Sequence, residues 1–96
     1  MVVGVCRLTL AIPETADLKG KRSVVKRVIA RTRQQFNIAM AEVDDLDEWG
    51  SAVLGFAVVA NDHRFVNSVV DKVIAHVHDL CLAEVDDHEI EILHVL

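Results

Sequence analysis

Two stretches of this chain carry apolar residues at a helical period, and strand-like segments bracket each of them. In the first, Val24, Val25, Val28, Ile29, Thr32 (through its methyl) and Phe36 share one arc at about 100° per residue. In the second, Phe65, Val66, Val69, Val70, Val73, Ile74, Val77 and Leu80 form a continuous stripe. Before the first helix, residues 2–12 alternate, with Val2, Cys6, Leu8, Leu10 and Ile12 on one parity and Val3, Val5, Arg7 and Thr9 on the other. Pro13 ends that strand, because proline cannot donate to a ladder. Asp17 or Thr15 caps the helix that follows, about Leu18 to Phe36, and Gly20 leaves its start anywhere from 18 to 21. Residues 37–44 read as a second strand, Asp44 to Gly50 as a polar turn, and Ser51–Ala60 as a third strand. Asn61 and Asp62 turn the chain and cap the second helix, and a last strand occupies about 84–95. In that last strand Ile90 and Ile92 point inward, Glu89 and Glu91 outward.

The order β-α-β-β-α-β predicts an α+β, ferredoxin-like fold: a four-stranded antiparallel sheet with two helices on one face. Right-handed crossovers put both helices on the same side and the first and third strands at the centre. No repeat or linker interrupts the pattern, so residues 1–96 read as one domain. With 52% hydrophobic residues the chain is too apolar for disorder. It has no apolar run long enough to predict a membrane span, and its start does not read as a signal peptide. Cys6 and Cys81 are too few for a disulfide framework, so reduced, buried thiols and a cytoplasmic location are expected.

Several local motifs are more specific. Leu18-Lys19-Gly20-Lys21-Arg22, Phe36-Asn37, Ala41-Glu42-Val43-Asp44, Asp47-Glu48-Trp49, Leu54-Gly55 and Asn61-Asp62 together resemble the YlxP-like family of small bacterial proteins. The resemblance runs over essentially the whole chain. It implies a ferredoxin-like fold, a cytoplasmic location and a link to translation or ribosome assembly, since such proteins are commonly encoded beside ribosome-maturation and initiation factors. The family is one of unknown function, so the resemblance carries over no catalytic residue. Ala39-Met40 departs from the small polar residue and valine common in relatives, which touches only the packing of the second strand.

Charge is divided unevenly along the chain. Residues 1–36 hold eight Lys/Arg and two acids; residues 37–96 hold two Lys/Arg and thirteen acids, giving the net −5. Within the first helix Lys19, Lys21, Arg22, Lys26, Arg27, Arg31 and Arg33 place seven cations in fifteen residues without an acid. Lys19, Arg22, Lys26 and Arg33 form one stripe opposite the valines, flanked by Arg27 and Arg31. Cations in the first turn oppose the helix dipole, and no acid at i±4 offsets their repulsion, so the arrangement points to an anionic partner. The expected partner is ribosomal RNA or a ribosomal subunit, met through Lys19, Arg22, Lys26, Arg27, Arg31 and Arg33. Compensation by the acidic half or by a neighbouring subunit is the competing account. A pI near 5.4 argues against general DNA binding.

The sheet face turned away from the helices is expected to carry Val3, Val5, Thr9, Val53, Ala57 and Val59, uncharged apart from Arg7. Val3, Val5, Val53, Ala57 and Val59 are therefore candidates for a homodimer interface. That face lacks the aromatics on which an RNA-recognition sheet stacks bases. The acidic turn around Asp44, Asp45, Asp47 and Glu48 lacks the Gly and distal Glu of an EF-hand loop, so it reads as solvated, with Trp49 packed. His76 and His78, two apart on a helix, cannot share a metal, and neither a metal nor any other cofactor is expected. Enzyme signatures are missing: Gly4, Gly20, Gly50 and Gly55 are isolated, and Ser23, Ser51 and Ser68 sit in no nucleophile elbow. Acylphosphatases share the topology, but their Gly-rich loop is replaced by Pro13-Glu14-Thr15-Ala16-Asp17. The sequence thus favours a non-enzymatic RNA- or ribosome-associated factor. The alternative is a homodimeric ligand-sensing or scaffolding module that binds no nucleic acid.

Overall fold

A computed structural model of the chain describes residues 1–13 and 17–96. Its elements follow the expected order: β1 (Val2–Ala11), α1 (Leu18–Gln35), β2 (Ala39–Asp44), β3 (Ser51–Ala60), α2 (His63–Asp79) and β4 (Glu84–His94). The strands form one antiparallel sheet in the order β2-β3-β1-β4, with β3 and β1 central. Val2, Cys6, Leu8 and Leu10 of β1 and Leu54, Phe56 and Val58 of β3 are buried with the helix valines in one core. The alternation read from the sequence therefore places the correct parity under the helices. α2 lies over the central strands and reaches β4, whereas α1 lies over β2 at one edge.

Local chemistry explains the ends of these elements. The Asp17 carboxylate accepts from Gly20 N at 2.9 Å and that of Asp62 from Phe65 N at 2.9 Å, satisfying donors that each helix start leaves unpaired. Capping by Asp17 lets α1 begin at Leu18 despite Gly20; Thr15, the alternative cap, lies outside the described residues. α1 stops one residue early because Phe36 is already extended (φ −131°), and β2 starts at Ala39 rather than 37. Thr32 is buried by more than its methyl, since its hydroxyl donates to Val28 O at 2.7 Å.

Close approach of α2 to β1 depends on Gly4. A methyl group there would stand 2.5 Å from Val66 Cγ1 and 3.1 Å from Val70 Cγ2. Glycine is thus the residue that lets a helix of β-branched side chains settle on the central strand. At the N-terminal end of α2, His63 Nδ1 and His94 Nε2 lie 2.8 Å apart and tie the first helical turn to the end of β4.

Two expectations about burial are corrected. Cys81 is exposed, because the chain passes through the left-handed region there (φ 55°) as it leaves α2, and the thiol faces out. Trp49 is 56% exposed rather than packed. The underside of its turn is taken by Lys21, whose ammonium donates to the Asp45 carbonyl. Cys6 is buried as expected.

Candidate functional site

The cationic stripe belongs to the outer side of α1. Val25, Val28 and Thr32 face the core, so Lys19, Arg22, Lys26, Arg27, Arg31 and Arg33 are left exposed on the remaining surface. From Lys19 to Arg33 the stripe rises about 21 Å, at roughly 1.5 Å per residue. Among the described residues the ion pairs are Arg7–Glu89 at 2.8 Å, Lys21–Glu42 at 3.2 Å and His78–Asp79 at 3.2 Å, and none involves these six cations. Topology supplies the reason. β4, which holds Glu84, Asp86, Asp87, Glu89 and Glu91, forms the opposite edge of the sheet from β2 and α1. Three strand spacings, about 14 Å, separate those edges. The β2 edge carries acids of its own, Glu42 and Asp44, with Asp45, Asp47 and Glu48 in the turn that follows, and of these Glu42 pairs with Lys21.

Lys21, the seventh cation of the helix, behaves differently from the other six. It is 0% exposed. Its Nζ sits 3.2 Å from Glu42 Oε2 as well as donating to Asp45 O. The Glu42 contact is Coulombic, because Oε2 has no donor in hydrogen-bonding geometry. Asp45 anchors the other side: its backbone is left-handed (φ 56°), its carboxylate accepts from Ser51 Oγ at 3.0 Å, and its carbonyl accepts from Glu48 N. The first turn of α1 is thereby fastened to the β2–β3 turn. A signal for this was present in the sequence: Lys21, Val25, Val28 and Thr32 recur at i, i+4, i+7 and i+11, which puts Lys21 on the core arc.

The open sheet face has a different character. Val3, Val5 and Ala57 are half-buried, Val59 is 63% exposed, and Val53 is only 7% exposed within the chain itself. Val53 therefore has little surface left to offer a partner. A shallow trough of about 610 Å³ crosses this face, with Ala39, Ala41, Gly55 and Ala57 on one side and Arg7, Glu89 and Glu91 on the other. A hydrogen bond from Arg7 to Glu89, together with the attraction between their charges, raises the guanidinium pKa above its ordinary value.

Burial pushes the Cys6 thiol up to about 11, so it is protonated at neutral pH. No group of three or more His, Cys, Asp or Glu side chains is placed to hold a metal ion among the described residues. No described helix is long and apolar enough to cross a membrane.

Residues 3–90 match a family described as a protein of unknown function, DUF503. The chain belongs to the DUF503 family. The uncharacterized protein YlxP of Bacillus subtilis (strain 168) is 26% identical to it over 76 residues, covering 79% of this chain and 83% of YlxP. This agrees with the YlxP-like motifs, and neither description assigns the DUF503 protein an activity. Among solved structures, the de novo designed protein Foldit4 superposes with a TM-score of 0.56 at 13% identity, covering 99% of this chain and 98% of the design. A de novo designed protein with a ferredoxin fold gives 0.53 at 18% identity, over 100% of this chain and 88% of its own. These likenesses establish the ferredoxin-like fold of this DUF503 chain, and fold by itself assigns no chemistry.

Proposed function

We propose that this DUF503 protein is a non-enzymatic, cytoplasmic accessory factor that docks on RNA, as a ribosomal subunit presents it, through the outer face of α1. Lys19, Arg22, Lys26, Arg27, Arg31 and Arg33 neutralise successive phosphates, and the protein works as a homodimer joined through its open sheet face. One observation carries the reading: six exposed cations along about 21 Å of helix, none in an ion pair among the described residues. Such a field repels itself unless a polyanion is present, and it attracts one at long range. Net charge −5 supports selectivity, since the remaining acidic surface turns the α1 edge toward a phosphate backbone and repels it elsewhere.

The test is cosedimentation with ribosomal subunits. Wild-type protein is expected to pellet with a subunit at low salt, and the double reversal Lys26→Glu/Arg33→Glu is expected to stay in the supernatant. Equal pelleting of the two proteins would defeat the proposal. The trough on the open face favours a second reading, a ligand-sensing module. Salt-insensitive binding of a small molecule, with no RNA affinity at low salt, would replace the first reading with that one.

A further inference from the structure

Leu46 and Trp49, three residues apart on the β2–β3 turn, are each 56% exposed. Covering a leucine and an indole is worth more than covering most other side chains, and the fold leaves both in water. The turn that carries them is held from several sides. Glu48 N donates to Asp45 O at 3.0 Å, Ser51 Oγ donates to the Asp45 carboxylate at 3.0 Å, and Ile12 N donates to Gly50 O at 3.0 Å. From beneath, the buried Lys21 ammonium donates to Asp45 O. Trp49 is therefore displayed on a preorganised frame, which spares a partner the cost of ordering the loop on binding.

The charge beside the indole says what covers it. Asp47 and Glu48 immediately precede it, both are exposed, and neither is in an ion pair among the described residues. With Asp44 and Asp45 also in the run, the turn repels a polyanion. It attracts a cation, and a guanidinium suits it best: its plane stacks on an indole while its fork of N–H donors meets a carboxylate. We infer that the β2–β3 turn docks an arginine-bearing segment of another protein, with a guanidinium lying on Trp49 and paired with Asp47 or Glu48, and with Leu46 against the apolar part of the same segment. This goes beyond phosphate docking through α1 and does not depend on it. Lys21 fastens the turn to the first turn of α1, where Lys19 and Arg22 are exposed. Cations for phosphate and an acidic, aromatic turn for the basic chains that bind phosphate thus stand side by side, a pairing that a surface of RNA and RNA-bound protein satisfies.

Trp49 is the only tryptophan of the chain, so indole emission reports on this turn alone. The test, run without RNA, titrates the protein with an eight-residue peptide of alternating Arg and Ala, blocked at both ends, and with its counterpart carrying uncharged citrulline in place of arginine. The arginine peptide is expected to change Trp49 emission to saturation. Citrulline in the peptide, or Asp47→Asn/Glu48→Gln in the protein, is expected to raise the dissociation constant about tenfold or more. Glu89→Gln/Glu91→Gln, on the opposite edge of the sheet, is expected to stay within about threefold of wild type, which separates docking at the turn from attraction to the acidic surface at large. Four results would each overturn the inference: no saturable change, equal binding by the citrulline peptide or the Asp47→Asn/Glu48→Gln protein, an equal loss in Glu89→Gln/Glu91→Gln, or an equally strong response to a single-stranded RNA oligonucleotide, which would put a base on the indole. A shift in emission on diluting the protein alone would overturn it too, by putting a second copy there. RNA binding by Asp47→Asn/Glu48→Gln, measured separately, is expected to be retained, so failure of this inference and failure of α1 docking are distinguishable.

Discussion

The ammonium of Lys21, wholly buried on the first turn of α1, lies 3.2 Å from the carboxylate of Glu42 on β2. Six other Lys or Arg side chains between residues 19 and 33 face water, so one cation of the cluster does a different job from its neighbours. By gripping Glu42 and the Asp45 carbonyl, Lys21 sets where the helix sits over the sheet edge, and so where the exposed stripe is presented.

Removing one partner of this pair leaves the other charge uncompensated. Lys21→Ala should destabilise the protein by about 3 kcal/mol or more. The paired change Lys21→Met/Glu42→Leu should lie much closer to wild type, because a buried ion pair replaced by apolar groups of similar volume is often neutral. Urea denaturation with comparison of midpoints checks both. Equal losses in the two proteins would show that the pair adds nothing beyond packing.

Gly4→Ala should cost about 1–3 kcal/mol, since the added methyl meets Val66 Cγ1 at 2.5 Å in a core of stiff β-branched side chains. Adding Val66→Ala should recover part of that loss. Thermal unfolding of the single and double variants reads the coupling, and strict additivity would contradict the proposed clash.

The two cysteines should separate cleanly in alkylation. Cys81 is exposed, whereas Cys6 is buried with its thiol pushed up to about 11, so native protein should take one label quickly and the second only on unfolding. Linkage adds a pH signature. Above the unfolded value of 9.0 the unfolded chain releases the Cys6 proton while the native chain retains it. That contribution to stability is complete below pH 9 and falls as pH rises toward 11. Cys6→Ala should lose less stability over that interval than wild type, measured by denaturation at pH 8 and pH 10.5.

The fold was legible because its two periods are clean: valines at helical spacing cover strands whose alternation assigns one parity to the core, and the structure buries Leu8, Leu54 and Val70 accordingly. What escaped was chemistry that joins distant positions. Lys21 reads as one more surface cation until the inward parity of Glu42, 21 residues later in the chain, is recognised as its counterpart. Trp49 and Cys81 were misplaced for a related reason. Cys81 sits at a left-handed turn that no local pattern encodes, and beneath the Trp49 loop lies a lysine whose place on the core arc of α1 says nothing about which distant loop it meets. Charge separation between α1 and β4 follows from strand order, which puts the acidic strand at the edge farthest from the basic helix.

Most direct for the function is the salt dependence of binding to a single-stranded RNA oligonucleotide. Six phosphate contacts give a slope of log K against log salt of about −4 for a single strand, and Lys26→Glu/Arg33→Glu should flatten it by at least the two lost contacts. A slope near zero, or a double variant that binds with the same slope and affinity as wild type, would contradict phosphate docking through α1.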